Sequence, residues 1–184
     1  MAEQPKKTRV SQDARRADVI DAALVEFGRF GYSGTSTSMI AKRAGIRQPY
    51  IYALFENKRD LFLTCHDVLN DRIRETFRAM IRPEDSPGER LRRMGAAYIE
   101  MIADDDRIRC HLQVYAAAGT ADLREPIREG FVRFFEDMVE MTGAEESEVA
   151  RFLANGMLIN AVSALGEPAT DVIGHLRMPR DGGR

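Results

Sequence analysis

Apolar residues recur at helical spacing along nearly the whole chain, and no run alternates in the way that is typical of a strand. The pattern therefore predicts an all-α fold. One face of the first helix is formed by Val19, Ile20, Ala23, Leu24 and Phe27. Gly31 stands where a left-handed residue would end that helix. A long stripe later in the chain is formed by Leu61, Cys65, Leu69, Ile73, Phe77 and Met80.

Capping signals set the limits of the predicted helices. Ser36 can cap a short second helix, and Asn57 can cap the long one. The stretch SPGE at 86–89 combines a Ser N-cap, a Pro at the first helical position and a Glu three residues after the cap. An acidic break at 104–106 separates this helix from the next segment. The later helices are predicted over about 87–103, 107–118, 123–142 and 146–165.

The stretch TSMIAKRAGIRQPYIYALF at 37–55 fits a helix-turn-helix. Gly45 is the turn residue that tolerates a positive φ, and Ala41 is the small residue one helical turn earlier, where the second helix presses on the first. The inward positions are Ile40, Ala44, Ile46, Ile51 and Leu54. The motif therefore explains why a glycine stands inside a mostly helical segment.

The second helix of this motif would turn four polar or aromatic side chains outward. Pro49 suits its first turn, where a backbone N–H has no partner inside the helix. Arg47, Gln48, Tyr50 and Tyr52 are then left on the outer face. Such a helix end is the part that enters a major groove, so these side chains are predicted to contact base edges and phosphates. An αα-hairpin inside a helical bundle would be the other interpretation.

The charge distribution favours the DNA-binding interpretation. The chain has 184 residues and a net charge of −2. Residues 1–60 carry 11 of its 27 Lys and Arg but only 7 of its 29 Asp and Glu. A basic front third on an acidic protein indicates a polyanion met by that third alone.

Residues 22–62 resemble the N-terminal domain of the tetracycline-repressor (TetR) family of transcriptional regulators. The similarity rests on AAL…F…GY…T, then IAKRAGI, then YxxF followed by xNKxxLF. Near the end of the chain, FLANGMLINAV is similar to the last helix of some members. The resemblance implies that the helix after the turn reads double-stranded operator DNA and that Tyr52 and Lys58 bind phosphate. It also implies that residues 35–38, including Thr35, Ser36 and Ser38, meet the DNA backbone.

The chain departs from the family pattern in both helices of the motif. Many members have a Gly-Thr pair where this chain has Pro49 and Tyr50, and Arg is frequent at the position of Ser38. An operator sequence borrowed from another member is therefore in doubt. Arg47, Gln48 and Tyr50 would set a particular specificity, because each good bidentate base contact discriminates by ~1–3 kcal/mol.

The last two predicted helices are candidates for a dimer interface. A single helix-turn-helix reads one half-site, so useful affinity normally needs a two-fold dimer. The candidate interface residues are Phe131, Phe134, Phe135, Met138, Phe152, Gly156, Met157 and Asn160. Members of the resembled family form homodimers through such helices. The same residues could equally close the core of a single subunit.

The region between the predicted DNA head and these helices is a candidate effector site. In the resembled family it holds a mostly apolar pocket, and occupation of that pocket moves the DNA heads apart. The candidate residues here are His66, Asn70, Met94, Tyr98, Met101, His111 and Tyr115. Methionine and tyrosine suit an apolar pocket, but the same stripe would also suit an ordinary core.

The sequence therefore predicts a DNA-binding transcriptional regulator, a repressor that a small hydrophobic effector releases from a palindromic operator. The alternatives are a DNA-binding protein without an effector, architectural or partner-controlled, and a metal sensor based on the pairs Cys65-His66 and Cys110-His111. Catalytic motifs are absent from the sequence, so we expect neither an enzyme nor a cofactor nor a metal site. The two cysteines are expected to be reduced thiols.

We predict the following division of the chain. It comprises a flexible tail over 1–10, the helix-turn-helix domain over 11–57, the effector and dimerisation domain over 58–177, and a flexible tail over 178–184. The sequence contains neither a signal peptide nor an apolar run long enough to span a bilayer. A cytoplasmic location without a membrane partner is therefore expected, with association to the nucleoid when the protein is bound to DNA.

Overall fold

Eight α-helices make up the part of the chain that the computed structural model describes, residues 12–102 and 109–165. They are α1 (Gln12–Gly34), α2 (Thr37–Arg43), α3 (Gln48–Leu54), α4 (Lys58–Met80), α5 (Pro87–Ile102), α6 (Arg109–Ala117), α7 (Ala121–Thr142) and α8 (Glu146–Ala164). No strand occurs in these residues, and the all-α prediction is confirmed. The predicted tails and the acidic break at 104–106 lie outside the described residues.

The first helix is kinked where the sequence predicts its end. Gly31 has φ 67° and ψ 178°, so the helix breaks there, but a short helical stretch resumes and α1 ends at Gly34. The break also lets α6 come close, because a Cβ added to Gly31 would lie 2.9 Å from Gln113 Oε1. Glycine is thus required at this position both for backbone conformation and for space.

The long helix α4 begins at the predicted cap and connects helices α1–α3 with helices α5–α8. The Asn57 side chain accepts a hydrogen bond from the backbone N–H of Asp60 at 2.9 Å. Leu61 through Phe77 of the predicted stripe are buried. Met80 is 42% exposed, so its place in the stripe was wrong: α4 projects beyond the core in its last turn.

The remaining helices start and end close to the predicted limits. Ser86 donates its hydroxyl to Glu89 Oε2 at 2.7 Å, and its backbone N–H reaches the same oxygen at 3.0 Å, as expected for the start of α5. Gly143 ends α7 in the left-handed conformation with φ 64°. Within the described residues no helix is both long and apolar enough to cross a bilayer.

A proline in α7 leaves one backbone carbonyl of that helix without its usual N–H donor, and a side chain of α4 donates to this carbonyl instead. Pro126 has no N–H to donate to the carbonyl of Asp122, four residues earlier. Arg59, in the first turn of α4, donates to that carbonyl from Nε at 3.1 Å and from Nη2 at 2.9 Å. The proline therefore creates an anchoring point between α7 and the start of α4.

Candidate DNA-binding surface and internal cavity

Helices α2 and α3 meet through a tight turn centred on Gly45. This residue has φ 66°, and around it the Ala44 N–H donates to Ile40 O at 2.9 Å and the Ile46 N–H to Ala41 O at 3.0 Å. Ile40, Ala41 and Ile51 are buried where the two helices press together. The small and apolar residues of the helix-turn-helix therefore occupy the positions that the sequence predicts.

The outer face of α3 carries the four side chains that the sequence assigned to it. Arg47, Gln48, Tyr50 and Tyr52 are all exposed, and Pro49 lies in the first turn. Tyr50 is 39% exposed, so its aromatic ring is available to a partner. The four side chains form one polar and aromatic surface, called here the α3 face.

The N-terminus of α2 is bonded directly to the α3 face. Gln48 Nε2 donates to Thr37 Oγ1 at 2.8 Å, and the Tyr52 hydroxyl lies 3.0 Å from the same oxygen. Ser36 caps α2 by accepting from the Met39 N–H at 3.3 Å, and its Oγ is 2.8 Å from Ser38 Oγ. From the sequence, Thr37 was included only within the segment 35–38 that is expected to meet the DNA backbone, and its contacts with α3 were not predicted. Thr37 fixes the positions of both α3 side chains.

Thr35 and Lys58 lie differently from the expectation. The Thr35 side chain is 2% exposed and donates to Glu26 O at 3.0 Å and Gly31 O at 2.8 Å, so it stabilises the loop and does not face outward. Lys58 is half-buried, and its Nζ donates to Tyr32 O at 2.9 Å and Thr35 O at 3.1 Å. It also lies 4.4 Å from the Tyr32 ring centroid. The expectation for the Thr35 side chain is thus corrected, and a phosphate contact by Lys58 stays a prediction.

A buried ion pair holds α2 against α1. Glu26 is buried in α1, and its carboxylate accepts from Arg43 Nε in the last turn of α2. A buried carboxylate needs such a charged partner, and the positive charge also suits the helix C-terminus. The pair therefore joins α2 to α1 within the predicted helix-turn-helix domain.

Helices α4, α5, α6, α7 and α8 bound a cavity of about 490 Å³ that is partly open to solvent. Its wall is mostly aromatic and aliphatic, and it includes Phe77 and Ile73 of α4. Its polar side chains are Arg92, Tyr98, His111, Tyr115, Asn155 and Asn160. Both the volume and the apolar lining are typical of sites for small molecules.

Only part of the predicted effector set lines this cavity. Tyr98, His111 and Tyr115 do, whereas His66, Asn70, Met94 and Met101 do not. The first three of these four are buried in the core, and Met101 is half-buried with its sulfur 3.7 Å from Thr76 Oγ1. These four predictions find no support, because helical spacing identifies an apolar face but not the neighbour that the face meets.

Three cavity residues form a chain of hydrogen bonds. The Tyr98 hydroxyl donates to Asn160 Oδ1 at 2.7 Å, and Asn160 Nδ2 is 3.4 Å from His111 Nδ1. Burial lowers the pKa of His111 to about 4, with a further contribution from His66. Burial raises the pKa of Tyr115 to about 12. All these groups are therefore neutral at physiological pH.

His66 belongs to a different buried cluster. Asn70 Nδ2 is 3.4 Å from each ring nitrogen of His66, and a Cβ added to Gly130 of α7 would lie 2.8 Å from His66 Nε2. Burial, together with the charges of Arg133 and Arg74, lowers the pKa of His66 to about 4. The close approach shows that His66 packs against α7 and belongs to the core.

The predicted dimer residues mostly face the inside of the subunit. Phe134, Met138 and Asn160 are buried in the subunit's own core, which corrects their assignment to an outer surface. Phe131, Phe152, Gly156 and Met157 line the cavity, with Phe131 also partly exposed, and Phe135 is half-buried. The outward apolar positions, which the sequence reasoning missed, are Val132, Ala150, Ala154, Leu158 and Leu165. The signal for Ala150, Ala154 and Leu158 was a spacing of four residues along α8.

The cysteine–histidine pairs do not form a metal site in the described part of the chain. There, no three His, Cys, Asp or Glu side chains are grouped so that they could hold an ion. Cys65 and Cys110 are both buried free thiols, and burial raises their pKa, that of Cys110 to about 12. A protonated thiol is a poor metal ligand.

Comparison with known proteins supports the resemblance found in the sequence. The family model described as bacterial regulatory proteins, tetR family, matches residues 19–65, which span α1 to the start of α4. The fatty acid metabolism regulator protein of Bacillus subtilis (strain 168) is 26% identical over 111 residues, which are 60% of this chain and 57% of that protein. The regulator BetI of Paraburkholderia phymatum is 33% identical over 91 residues, 49% of this chain and 46% of that protein.

The fold is also similar to solved structures. A TetR-family transcriptional regulator from Rhodococcus sp. superposes with a TM-score of 0.73 at 19% identity and covers 88% of this chain and 94% of that one. The chain thus spans about half the length of the curated relatives it matches and nearly all of the Rhodococcus fold. The relatives named here are transcriptional regulators, so the predicted resemblance is confirmed.

Proposed function

We propose that this chain is a DNA-binding transcriptional regulator of the TetR type, which acts as a homodimeric repressor released from a palindromic operator by a small hydrophobic effector. In this proposal residues 11–57 form the DNA-binding head and residues 58–177 the effector and dimerisation body. The observation that carries it is the exposed α3 face, which is held on a rigid helix-turn-helix and coexists with an internal cavity. The cavity favours the effector-responsive alternative over an architectural one, which would not need it.

The α3 face supplies the chemistry for reading a major groove. Arg47 and Gln48 offer N–H donors to base edges, and the Tyr50 ring offers an apolar contact to a thymine methyl group. Ser36, Ser38 and Tyr52 lie beside them and can hydrogen-bond phosphate oxygens. The bonds from Thr37 to Gln48 and Tyr52 limit the freedom of those side chains before DNA arrives, which lowers the entropy cost of binding.

The outward apolar positions on α7 and α8 support the homodimer. Ala150, Ala154, Leu158 and Leu165 of α8 and its C-cap share an exposed face, and Leu165 is 81% exposed. Small and apolar residues at this spacing allow two helices to approach closely and bury the face. The half-sites of a palindromic operator lie roughly 34–36 Å apart, so a two-fold dimer would have to hold its two heads at that separation.

The cavity and the head are connected by α4. Ile73 and Phe77 line the cavity, while Lys58, at the other end of the helix, holds the carbonyls of Tyr32 and Thr35. An effector that favours one position of α4 would change the separation of the heads. A coupling of ~1–3 kcal/mol weakens operator affinity roughly 5- to 150-fold, and the operator weakens effector binding by the same factor.

The experiment that tests this function measures binding to the DNA flanking the protein's own gene by fluorescence anisotropy. The variant is Tyr50→Ala, and the matched control is Met80→Ala, which also truncates an exposed side chain but at the far end of α4. We expect Tyr50→Ala to lose about 5- to 100-fold in affinity for the specific site and little for random DNA, because its contact is to a base. Met80→Ala should keep both affinities.

Two results would contradict the proposal. Equal losses of Tyr50→Ala on specific and random DNA would make Tyr50 a backbone contact. The failure of the unmodified protein to prefer any discrete site would remove the regulator function itself. A promoter–reporter assay in cells then gives the sign of regulation, and repression predicts higher reporter output when the gene is deleted.

A further inference from the structure

Thr37, at the start of α2, is the centre of a chain of hydrogen bonds that reaches two side chains of the α3 face. Gln48 Nε2 donates to Thr37 Oγ1 at 2.8 Å, and Tyr52 Oη lies 3.0 Å from the same oxygen. Thr37 is only 6% exposed, whereas Gln48 is exposed and Tyr52 is 52% exposed. A buried hydroxyl thus contacts two side chains that a partner can reach.

The single hydrogen of the Thr37 hydroxyl determines the direction of this chain. An amide nitrogen can only donate, so Thr37 Oγ1 is the acceptor toward Gln48. Among the described residues the Thr37 hydroxyl has one other polar partner, Tyr52 Oη. If Tyr52 donated to Thr37, the buried Thr37 hydrogen would be left without an acceptor, which is unfavourable. Thr37 therefore accepts from Gln48 and donates to Tyr52.

This direction makes Tyr52 a donor toward its surroundings. A phenolic oxygen carries one hydrogen, and because Tyr52 Oη accepts from Thr37, its own hydrogen is free to point away from the protein. The oxygens of the DNA backbone accept hydrogen bonds from such hydroxyls. The chain thus orientates the Tyr52 hydroxyl for a phosphate before DNA arrives.

The same chain determines which groups Gln48 presents. Thr37 takes one amide hydrogen, which leaves Oε1 and the second hydrogen at the exposed end of the side chain. In the major groove adenine offers an N6–H donor and the N7 acceptor, so it complements an acceptor and a donor. Guanine offers two acceptors there, O6 and N7, and one of them would oppose Oε1. A Gln48 amide held by Thr37 therefore fits adenine and not guanine.

We propose that Thr37 is a positioning residue for sequence recognition, which holds the Gln48 amide so that the α3 face selects adenine over guanine at one position of each half-site. Its bond to Tyr52 directs the hydroxyl of that residue to a neighbouring phosphate. This inference rests on the proposed function, since it takes the α3 face as the surface that reads the operator. It adds the base that Gln48 selects and the buried residue that enforces the selection.

The test selects bound sites from a random-sequence library of double-stranded DNA with the full-length protein and sequences the selected pool. Gln48→Ala identifies the position that Gln48 reads, because the base preference there is lost in this variant. We expect the unmodified protein to prefer adenine over guanine at that position by about 5- to 100-fold, the discrimination of one good bidentate contact.

Thr37→Val is the decisive variant, because it keeps the branched shape and removes the hydroxyl. It should lower the adenine-to-guanine ratio about 5-fold or more, since the released amide can also turn its NH₂ group toward guanine. A merely structural role of Thr37 would weaken binding to all sequences alike and leave the ratio unchanged. Adding Gln48→Ala to Thr37→Val should change the base preference no further than Gln48→Ala alone.

Two further variants serve as controls. Thr37→Ser retains the hydroxyl and should retain the preference for adenine. Ser38→Ala removes an exposed hydroxyl from the same turn of α2 that is bonded to Ser36 and not to α3, so it should also leave the preference unchanged. Circular dichroism confirms that each variant is folded.

Several outcomes would overturn the inference while a discrete selected site leaves the regulator function untouched. These are an unchanged adenine-to-guanine ratio in Thr37→Val, a loss in Thr37→Ser as large as that in Thr37→Val, a preference for guanine at the position of Gln48, or no position that depends on Gln48. Failure of the unmodified protein to select any discrete site would instead overturn the proposed function and this inference together.

Discussion

Two buried neutral histidines should make the stability of this protein fall steeply between pH 7 and pH 5. His66 and His111 are 1% and 6% exposed, and burial lowers the pKa of each to about 4 from an ordinary value of 6.5. The charges of Arg133 and Arg74 contribute to the lowered pKa of His66, and His66 contributes to that of His111. The unfolded chain therefore binds more protons than the folded one between about pH 6.5 and pH 4.

The sign and size of the effect follow from proton linkage. Stability rises with pH wherever the unfolded state binds more protons, so the contribution of these histidines is complete above about pH 6.5 and is lost as the pH falls toward 4. Between pH 7 and pH 5 each histidine should reduce the free energy of unfolding by about 2 kcal/mol, and the two together by about 4 kcal/mol. For a chain of this size that corresponds to roughly 10 °C in Tm.

The assay is urea unfolding followed by circular dichroism at several pH values and one fixed protein concentration, since dimerisation would make stability depend on concentration. A His175→Gln background removes the third histidine, which lies outside the described residues. Adding His111→Phe or His66→Gln should roughly halve the decrease in the free energy of unfolding between pH 7 and pH 5. This holds whatever each variant does to stability at pH 7. A slope that neither variant changes would refute the assignment of the acid sensitivity to these two groups.

Two glycine substitutions separate backbone strain from steric overlap, with urea unfolding as the measurement for both. Gly45→Ala meets no atom within 4 Å but retains a φ of 66°, so it should cost about 1 kcal/mol of stability; a neutral result would mean that the turn relaxes. Gly130→Ala would place a Cβ 2.8 Å from His66 Nε2, so it should cost about 1–3 kcal/mol, while Gly88→Ala, with open space around its Cβ, is the neutral control. Equal stabilities of the Gly130 and Gly88 variants would contradict the close packing of α7 on α4.

The head could be predicted from the sequence because its signals are local. A positive φ at Gly45, a cap at Ser36 and a cap at Asn57 each depend on residues within one turn, and the structure has all three. The orientation of Thr35 was missed because its partners, the carbonyls of Glu26 and Gly31, come from a kink whose geometry the sequence does not specify.

The body could be predicted only as a set of helices. Its cavity depends on which face of α5 meets which face of α8, and apolar spacing alone does not distinguish a core position such as Met94 from a cavity position such as Tyr98. Helix α8 is apolar on several sides, because one side lines the cavity and another faces outward at Leu158. A helix with two apolar faces has no single stripe, so the predicted interface residues fell mainly on the inner face.

The contacts at the start of α4 explain how one helix can serve both the cavity and the head. Lys58 binds the carbonyl of Tyr32 at the end of α1 and that of Thr35 in the loop between α1 and α2. Arg59 binds the carbonyl of Asp122 that Pro126 leaves free. The first turn of α4 is therefore attached to the head on one side and to α7 on the other. In the proposed mechanism a ligand that displaces the cavity wall cannot move α4 without carrying the α1–α2 loop with it. The proline in α7 and the lysine in α4 thus contribute to one function, the transfer of a change in the body to the orientation of the α3 face.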